Sequence, residues 1–217
     1  MNLDREKISD VFDDPRAIAE EIHRQASFGF KPTPIEEIAK ELGIFKISEE
    51  PLSAIEGVLV VPEGKFEGEI RINQNINPRR KIFTIAHELG HYLHPFHHPK
   101  NGRYECARTD MFIDTQKSEN EKEEQEAEAN LFASEILIPT GHVKNNFSDL
   151  ESINLNSMVN FADTLNVSKA AAFRKIHDNI KSEFAIIFSL DGKVKYLHVD
   201  NFPYLKTWYK RPLPSGC

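Results

Sequence analysis

The chain's 217 residues suffice for one good-sized domain, or one domain with a small appendage, and 40% hydrophobic with 28% charged residues is ordinary for a globular protein. A net charge of −7 is the wrong sign for a general nucleic-acid binder, and no apolar run approaches the ~20 residues of a membrane helix. The start, M-N-L-D-R-E-K, lacks the apolar core of a signal peptide, so a cytoplasmic location and free thiols at Cys106 and Cys217 are expected.

Ile18, Ala19 and Ile22 recur at helical spacing and predict a helix over 15–25. Thr33 as cap and Pro34 at the first helical position open another, with Ile35, Ile38, Ala39 and Leu42 as its apolar face and Gly43 at its end. The phrase I-E-E-I-A-K-E-L-G-I resembles the opening of a helix-turn-helix. The β-prone I-F-K-I-S stands where a recognition helix belongs, so direct DNA binding is not expected. Residues 44–48, 57–61 and 67–73 read as short strands, the last two joined by the turn P-E-G-K.

Asn77 as cap and Pro78 then open a long helix that Pro95 stops at about His94. Residues 97–117 read as irregular, with a short strand in R-Y-E-C-A-R-T-D-M-F-I. A second long helix spans about Glu119 to Leu137, before Pro139. Its acidic run is expected mostly as a solvated face. Helices over 155–165 and 168–180 follow, Ser168 capping the latter. Asp191-Gly192 between two alternating runs signals a β-hairpin, and the prolines from Pro203 to Pro214 mark an arm.

The first long helix carries His87-Glu88-Leu89-Gly90-His91, an H-E-x-x-H pattern. Residues four apart share a helix face, so both imidazoles can reach one ion, while Glu88 can take a proton from a water on it. On a helical wheel Ile82, Ile85, Leu89 and Leu93 fall together, and the two histidines lie opposite with Phe83 and Gly90 instead of Lys and Glu. That pattern predicts packing on both flanks and a cleft over the histidine face.

Zinc hydrolases use three protein ligands and leave one position for water. His97 has the metzincin spacing, but that motif needs a glycine where His94 and Pro95 stand. His94 shares the histidine face, yet three ligands from one straight helix would crowd one side of the ion, so it is expected in the cleft wall. His97 and His98 are placed in the wall or a loop. In E-A-E-A-N, Glu126 falls beside the apolar stripe of Ala129, Phe132, Ala133 and Ile136, whereas Glu128 points towards solvent. A carboxylate at the edge of a buried face needs a partner, which makes Glu126 the best third ligand. Asn130, four residues on, is expected to hydrogen-bond the ligand shell.

With H-E-L-G-H and E-A-E-A-N in place, the chain resembles the ImmA/IrrE family of metallo-endopeptidases. P-I-E-E-I-A-K-E-L-G-I resembles that family's entry helix, and G-E-I-R-I-N before F-T-I-A-H-E-L-G-H its strand leading into the metal helix. A-N-L-F-A-S-E-I-L-I-P is similar to the end of its second helix, and L-N-V-S-K-A-A-A-F-R-K-I to its later helical part. The resemblance runs over about residues 15–180. It implies one zinc ion on His87, His91 and Glu126 in a gluzincin-like site, with Glu88 as general base. It also implies a regulatory protease, of the kind found in phages, mobile elements and stress or toxin–antitoxin systems. The substrate it implies is a helix-turn-helix repressor or antitoxin, commonly encoded nearby.

The expected fold is α+β. A zincin-like metallopeptidase core over 1–137 has a small, mostly antiparallel sheet packed on the H-E-x-x-H helix. A helical subdomain over 138–181 and a β-hairpin with an arm over 182–217 follow. Tyr92, Tyr104 and His94 are candidates for a transition-state donor or for the cleft wall. Cys106 invites a thiolate-on-zinc switch, against the simpler expectation of a half-buried thiol in a loop. The alternative function is a non-catalytic zinc-containing regulator that binds a repressor or DNA. The intact Glu88 argues against it, because a structural site has no use for a base.

Overall fold

Caps written in the sequence set the long helices. The side chains of Asp14, Asn77, Asn120 and Ser168 each accept a hydrogen bond from a backbone N–H two or three residues on, satisfying a donor that the first helical turn leaves unpaired. In the computed structural model, which describes residues 2–11, 13–62, 66–99, 101–110, 120–149, 152–180, 184–198 and 209–212, the chain forms two units, Met1–Pro139 and Thr140–Cys217. The first contains α1 (Arg5–Asp10), α2 (Pro15–Ala26), α3 (Ile35–Glu41), β1 (Ile44–Glu50), β2 (Ile55–Val60), β3 (Gly68–Asn73), α4 (Pro78–Leu93), β4 (Arg103–Ala107) and α5 (Glu121–Leu137).

The fold is α+β. The four strands form one sheet in the order β1-β3-β2-β4. β2 is antiparallel to both β3 and β4, but β1 pairs with β3 in parallel, so the sheet is mixed. The expected mostly antiparallel sheet needs that amendment, for a topological reason. β2 returns after a short connection yet pairs on the far side of β3, and β3, reversing again, runs the same way as β1.

α4 is the centre of this unit, with every residue from Thr84 to Tyr92 buried. Ile85 and Leu89 share the core with Leu59 and Ile70 of the sheet. On another side, a Cβ built on Gly90 would meet Phe132 Cδ1 at 3.1 Å and Ala129 Cα at 3.2 Å, so this glycine sets how closely α5 approaches. The histidine face of α4, expected to border a cleft, is covered: His87 and His91 are fully buried.

Thr33, expected to cap α3, does not. Pro34 holds the cap position without a side-chain hydrogen bond. Thr33 Oγ1 donates instead to the Ile136 carbonyl at 2.8 Å, and the His23 ring donates to the same oxygen through Nε2, also at 2.8 Å. That carbonyl lies in the last turn of α5, where helical acceptors have no partner further along the helix. α1, too short to show a period, was not expected.

The second unit contains α6 (Thr140–Asn146), α7 (Leu155–Thr164), α8 (Lys169–Asn179), β5 (Ile186–Leu190) and β6 (Lys193–His198). Its core gathers Val143, Phe147, Phe161, Phe173 and Ile176. Asp191 and Gly192 both have positive φ, 51° and 70°, the backbone a two-residue hairpin turn requires. Residues 63–65 of the expected P-E-G-K turn, residues 111–113 of the expected strand, and Pro203, Pro214 and Cys217 of the arm lie outside the described residues. Among the described residues no helix is long and apolar enough to cross a membrane.

Candidate metal centre

Helical spacing brings His87 and His91 of α4 edge to face, with ring centroids 4.8 Å apart and Nε2 atoms 3.2 Å apart. α5, drawn close over Gly90, turns Glu126 towards them. Its Oε2 lies 3.1 Å from His87 Nε2 and 3.5 Å from His91 Nε2, and its side chain is 2% exposed. Donor atoms around a tetrahedral zinc ion, at bond lengths of ~2.0–2.2 Å, lie roughly 3.3–3.5 Å from one another. The three atoms therefore have the chemistry and the spacing to hold one such ion. Burial alone would raise the Glu126 pKa, but with no ion between them and the rings protonated, hydrogen bonds from His87 and His91 hold the carboxyl well below its ordinary value. The same interaction holds His87 above its ordinary value despite burial.

Each imidazole is fixed through its other nitrogen. His87 Nδ1 lies 3.0 Å from Asn130 Oδ1, and Asn130 Nδ2 donates to the Asp110 carbonyl at 3.0 Å. The second bond fixes which end of the amide faces the ring, so Nδ1–H donates and, in the neutral ring that would bind an ion, the Nε2 lone pair is left towards Glu126. His91 Nδ1 lies 2.9 Å from His97 Nδ1, and His97 Nε2 lies 2.8 Å from Glu128 Oε2. With the carboxylate accepting, His97 carries its proton on Nε2 and accepts at Nδ1, which puts the His91 proton on Nδ1 and its lone pair on Nε2. His97 is thus a buried link, 1% exposed, between a ligand candidate and a carboxylate. Glu128, expected to point to solvent, is only 25% exposed because the segment after Pro95 folds against that side of α5. Burial raises its carboxyl pKa to about 7, with Glu124 and Asp13 adding to the shift.

Glu88 is fully buried, and among the described residues neither carboxylate oxygen meets a nitrogen or oxygen donor; its neighbour is the Cys106 thiol, a weak donor. Burial raises its pKa to about 7. The room it occupies comes from β2: a Cβ on Gly57 would collide with Glu88 Oε1 and come within 2.5 Å of Thr84 Cγ2. Gly57 is a site residue that the sequence reading missed, although a glycine inside a strand is a known signal of close approach.

β4 closes the site from the sheet side. Tyr104 stacks on His91 with centroids 4.3 Å apart, and its hydroxyl donates to Gln125 Oε1 at 3.3 Å. Burial pushes the Tyr104 phenol pKa up. Cys106, expected as a half-buried thiol in a loop, lies in a strand and is fully buried. Its Sγ is 4.0 Å from Glu126 Oε1, and one donor atom each from His87, His91, Cys106 and Glu126 all lie within 4.8 Å of one another. Tyr92 points elsewhere, its hydroxyl accepting from Arg5 Nη1 at 2.8 Å. His94 is buried against His97 and donates through Nε2 to the Asp13 carbonyl at 2.8 Å; His98 is exposed.

Two imidazoles one helical turn apart, a carboxylate from a neighbouring helix, and a second buried carboxylate beside them fit the donor set of an H-E-x-x-H metal-dependent hydrolase. A family model described as the IrrE N-terminal-like domain, a peptidase family, matches residues 39–177, more than half of the chain. The chain belongs to this IrrE/ImmA-type metallopeptidase family. No curated protein matches it.

Proposed function

We propose that the protein is a zinc-dependent endopeptidase with a zincin-like core, His87, His91 and Glu126 being the ligands and Glu88 the general base. Its substrate is a helix-turn-helix repressor or antitoxin encoded nearby, so that cleavage acts on transcription. The observation that carries the reading is the convergence of three donor atoms within 3.5 Å beside a fully buried carboxylate. Family membership supports the peptidase chemistry. The substrate rests on the resemblance to the ImmA/IrrE family.

A bound zinc ion would lower the pKa of a water and polarise a peptide carbonyl. Glu88 takes the water's proton and returns it to the leaving amine. Its burial suits this, because desolvation raises the carboxyl's hold on a proton and so lets it take one from the water and pass it on. Asn130 and the His97–Glu128 pair hold the imidazoles with their Nε2 lone pairs inward. Tyr104 is the wall over His91.

The test uses the purified protein and the repressor encoded beside it. Glu88→Gln keeps its zinc and loses about 10²–10⁴-fold in cleavage rate. A Glu88→Gln protein that cleaves at the wild-type rate sinks this assignment. A wild-type protein that inactivates the repressor without cutting it favours the non-catalytic regulator.

A further inference from the structure

The β2–β4 register places Gly57 opposite Cys106, and residues directly opposite in an antiparallel pair project to the same face. On that face the two do complementary things. Gly57, lacking a side chain, leaves the space that Glu88 fills, and Cys106 carries a sulfur to the edge of the ligand group. Tyr104, two residues back in β4, faces the same way and lies on His91. The strand therefore presents its inner face to the ligand group, and Cys106 places a soft donor there.

We propose that Cys106 Sγ is a fourth protein ligand, so that the resting centre is closed by two imidazoles, a carboxylate and a thiolate. The proposal rests on the metal-centre reading above and adds its regulation. Two independent observations carry it. Sγ already lies within 4.8 Å of one donor atom each from His87, His91 and Glu126, from which a small rotation of a cysteine side chain reaches a shared ion. The fully buried Glu88 carboxyl faces the same sulfur, so Cys106 stands between the base and the ligand group. Mixed histidine, carboxylate and thiolate sets suit zinc, and four protein ligands leave no position for water. On coordination the S–H proton leaves to solvent and the sulfur lone pair takes the ion. Hydrolysis begins when the thiolate leaves its position and water enters.

Cobalt(II) added to the full-length, zinc-stripped chain tests this. The wild type and Cys217→Ser take up one ion and show the near-ultraviolet thiolate-to-cobalt charge-transfer band. Cys106→Ser and Cys106→Ala, two variants in case one folds poorly, bind cobalt and lack the band. Uptake by the wild type without the band overturns the thiolate ligand and leaves the His87, His91 and Glu126 site standing. A band that survives in both Cys106 variants overturns it equally. If cobalt is not taken up at all, the metal centre falls and this inference with it.

Discussion

Two clusters of histidine and glutamate lie side by side on α5, one facing α4 and the other the segment that follows it, and they use the same chemistry in opposite ways. In the first, His87 and His91 turn their Nε2 lone pairs to one point with Glu126 Oε2, while their Nδ1 atoms are engaged behind them. In the second, His97 uses one nitrogen on His91 and the other on Glu128, and His94 Nε2 is engaged by the Asp13 carbonyl. Both sets have metal-ligating types within reach of one another. Only the first leaves its lone pairs convergent. Residue type nominates both clusters, and the hydrogen bonds behind each ring favour the first.

The contrast can be broken at several points. The largest effect is expected at Gly57, where alanine drives a methyl group into Glu88 Oε1 and Thr84. Gly57→Ala should cost about 1–3 kcal/mol in urea unfolding and remove cleavage, since Glu88 must leave its place. A fully active Gly57→Ala protein would show that Glu88 does not need this space. Next comes the link between the clusters: His97→Ala removes the acceptor that fixes the His91 tautomer. Zinc should then bind about 10–100-fold more weakly in competition with a chelator. Asn130→Ala acts on His87 and belongs to the same range; unchanged affinity in both would reduce these partners to packing.

The smallest effect concerns a carboxylate that already has its cations. Glu69 accepts from Lys46 Nζ at 2.7 Å and Arg71 Nη2 at 3.0 Å, and these hydrogen bonds lower its pKa below the ordinary 4.5. A lowered folded pKa stabilises above the unfolded value, and that stability is lost as pH falls through the folded value. Because Lys46 and Arg71 are substantially exposed, Glu69→Gln should cost only about 0.2–1 kcal/mol at pH 7. The difference from wild type should vanish in acid; a difference that persists well below pH 4 would contradict the ion-pair origin.

Much of this was legible in the sequence, where local rules operate. Asn77, Pro78 and Pro95 bound α4, Ser168 caps α8, and Asp191-Gly192 turns the hairpin, each through its own backbone chemistry. The helical wheel put Glu126 at the edge of a buried face because it sits one turn from Ala129 and Asn130. The same wheel put Glu128 in solvent. A wheel treats a helix as if only its apolar stripe were covered, and the segment after Pro95 covers another side with His97. Thr33 reads as a cap because Thr-Pro is a local signal, but its partner is an α5 carbonyl 103 residues away. Gly57 and Cys106 acquire their roles from strand register, which pairs residues the sequence keeps far apart.

The account's central claim is that Glu126, and not Glu128, completes the metal centre. Zinc content per chain after dialysis against a weak chelator tests it most directly, with Glu126→Gln and Glu128→Gln compared under one protocol. The account predicts one ion in the wild type, one more easily stripped ion in Glu128→Gln, and none in Glu126→Gln. A Glu126→Gln protein that keeps its ion while Glu128→Gln loses it would move the site to the other cluster and contradict the account.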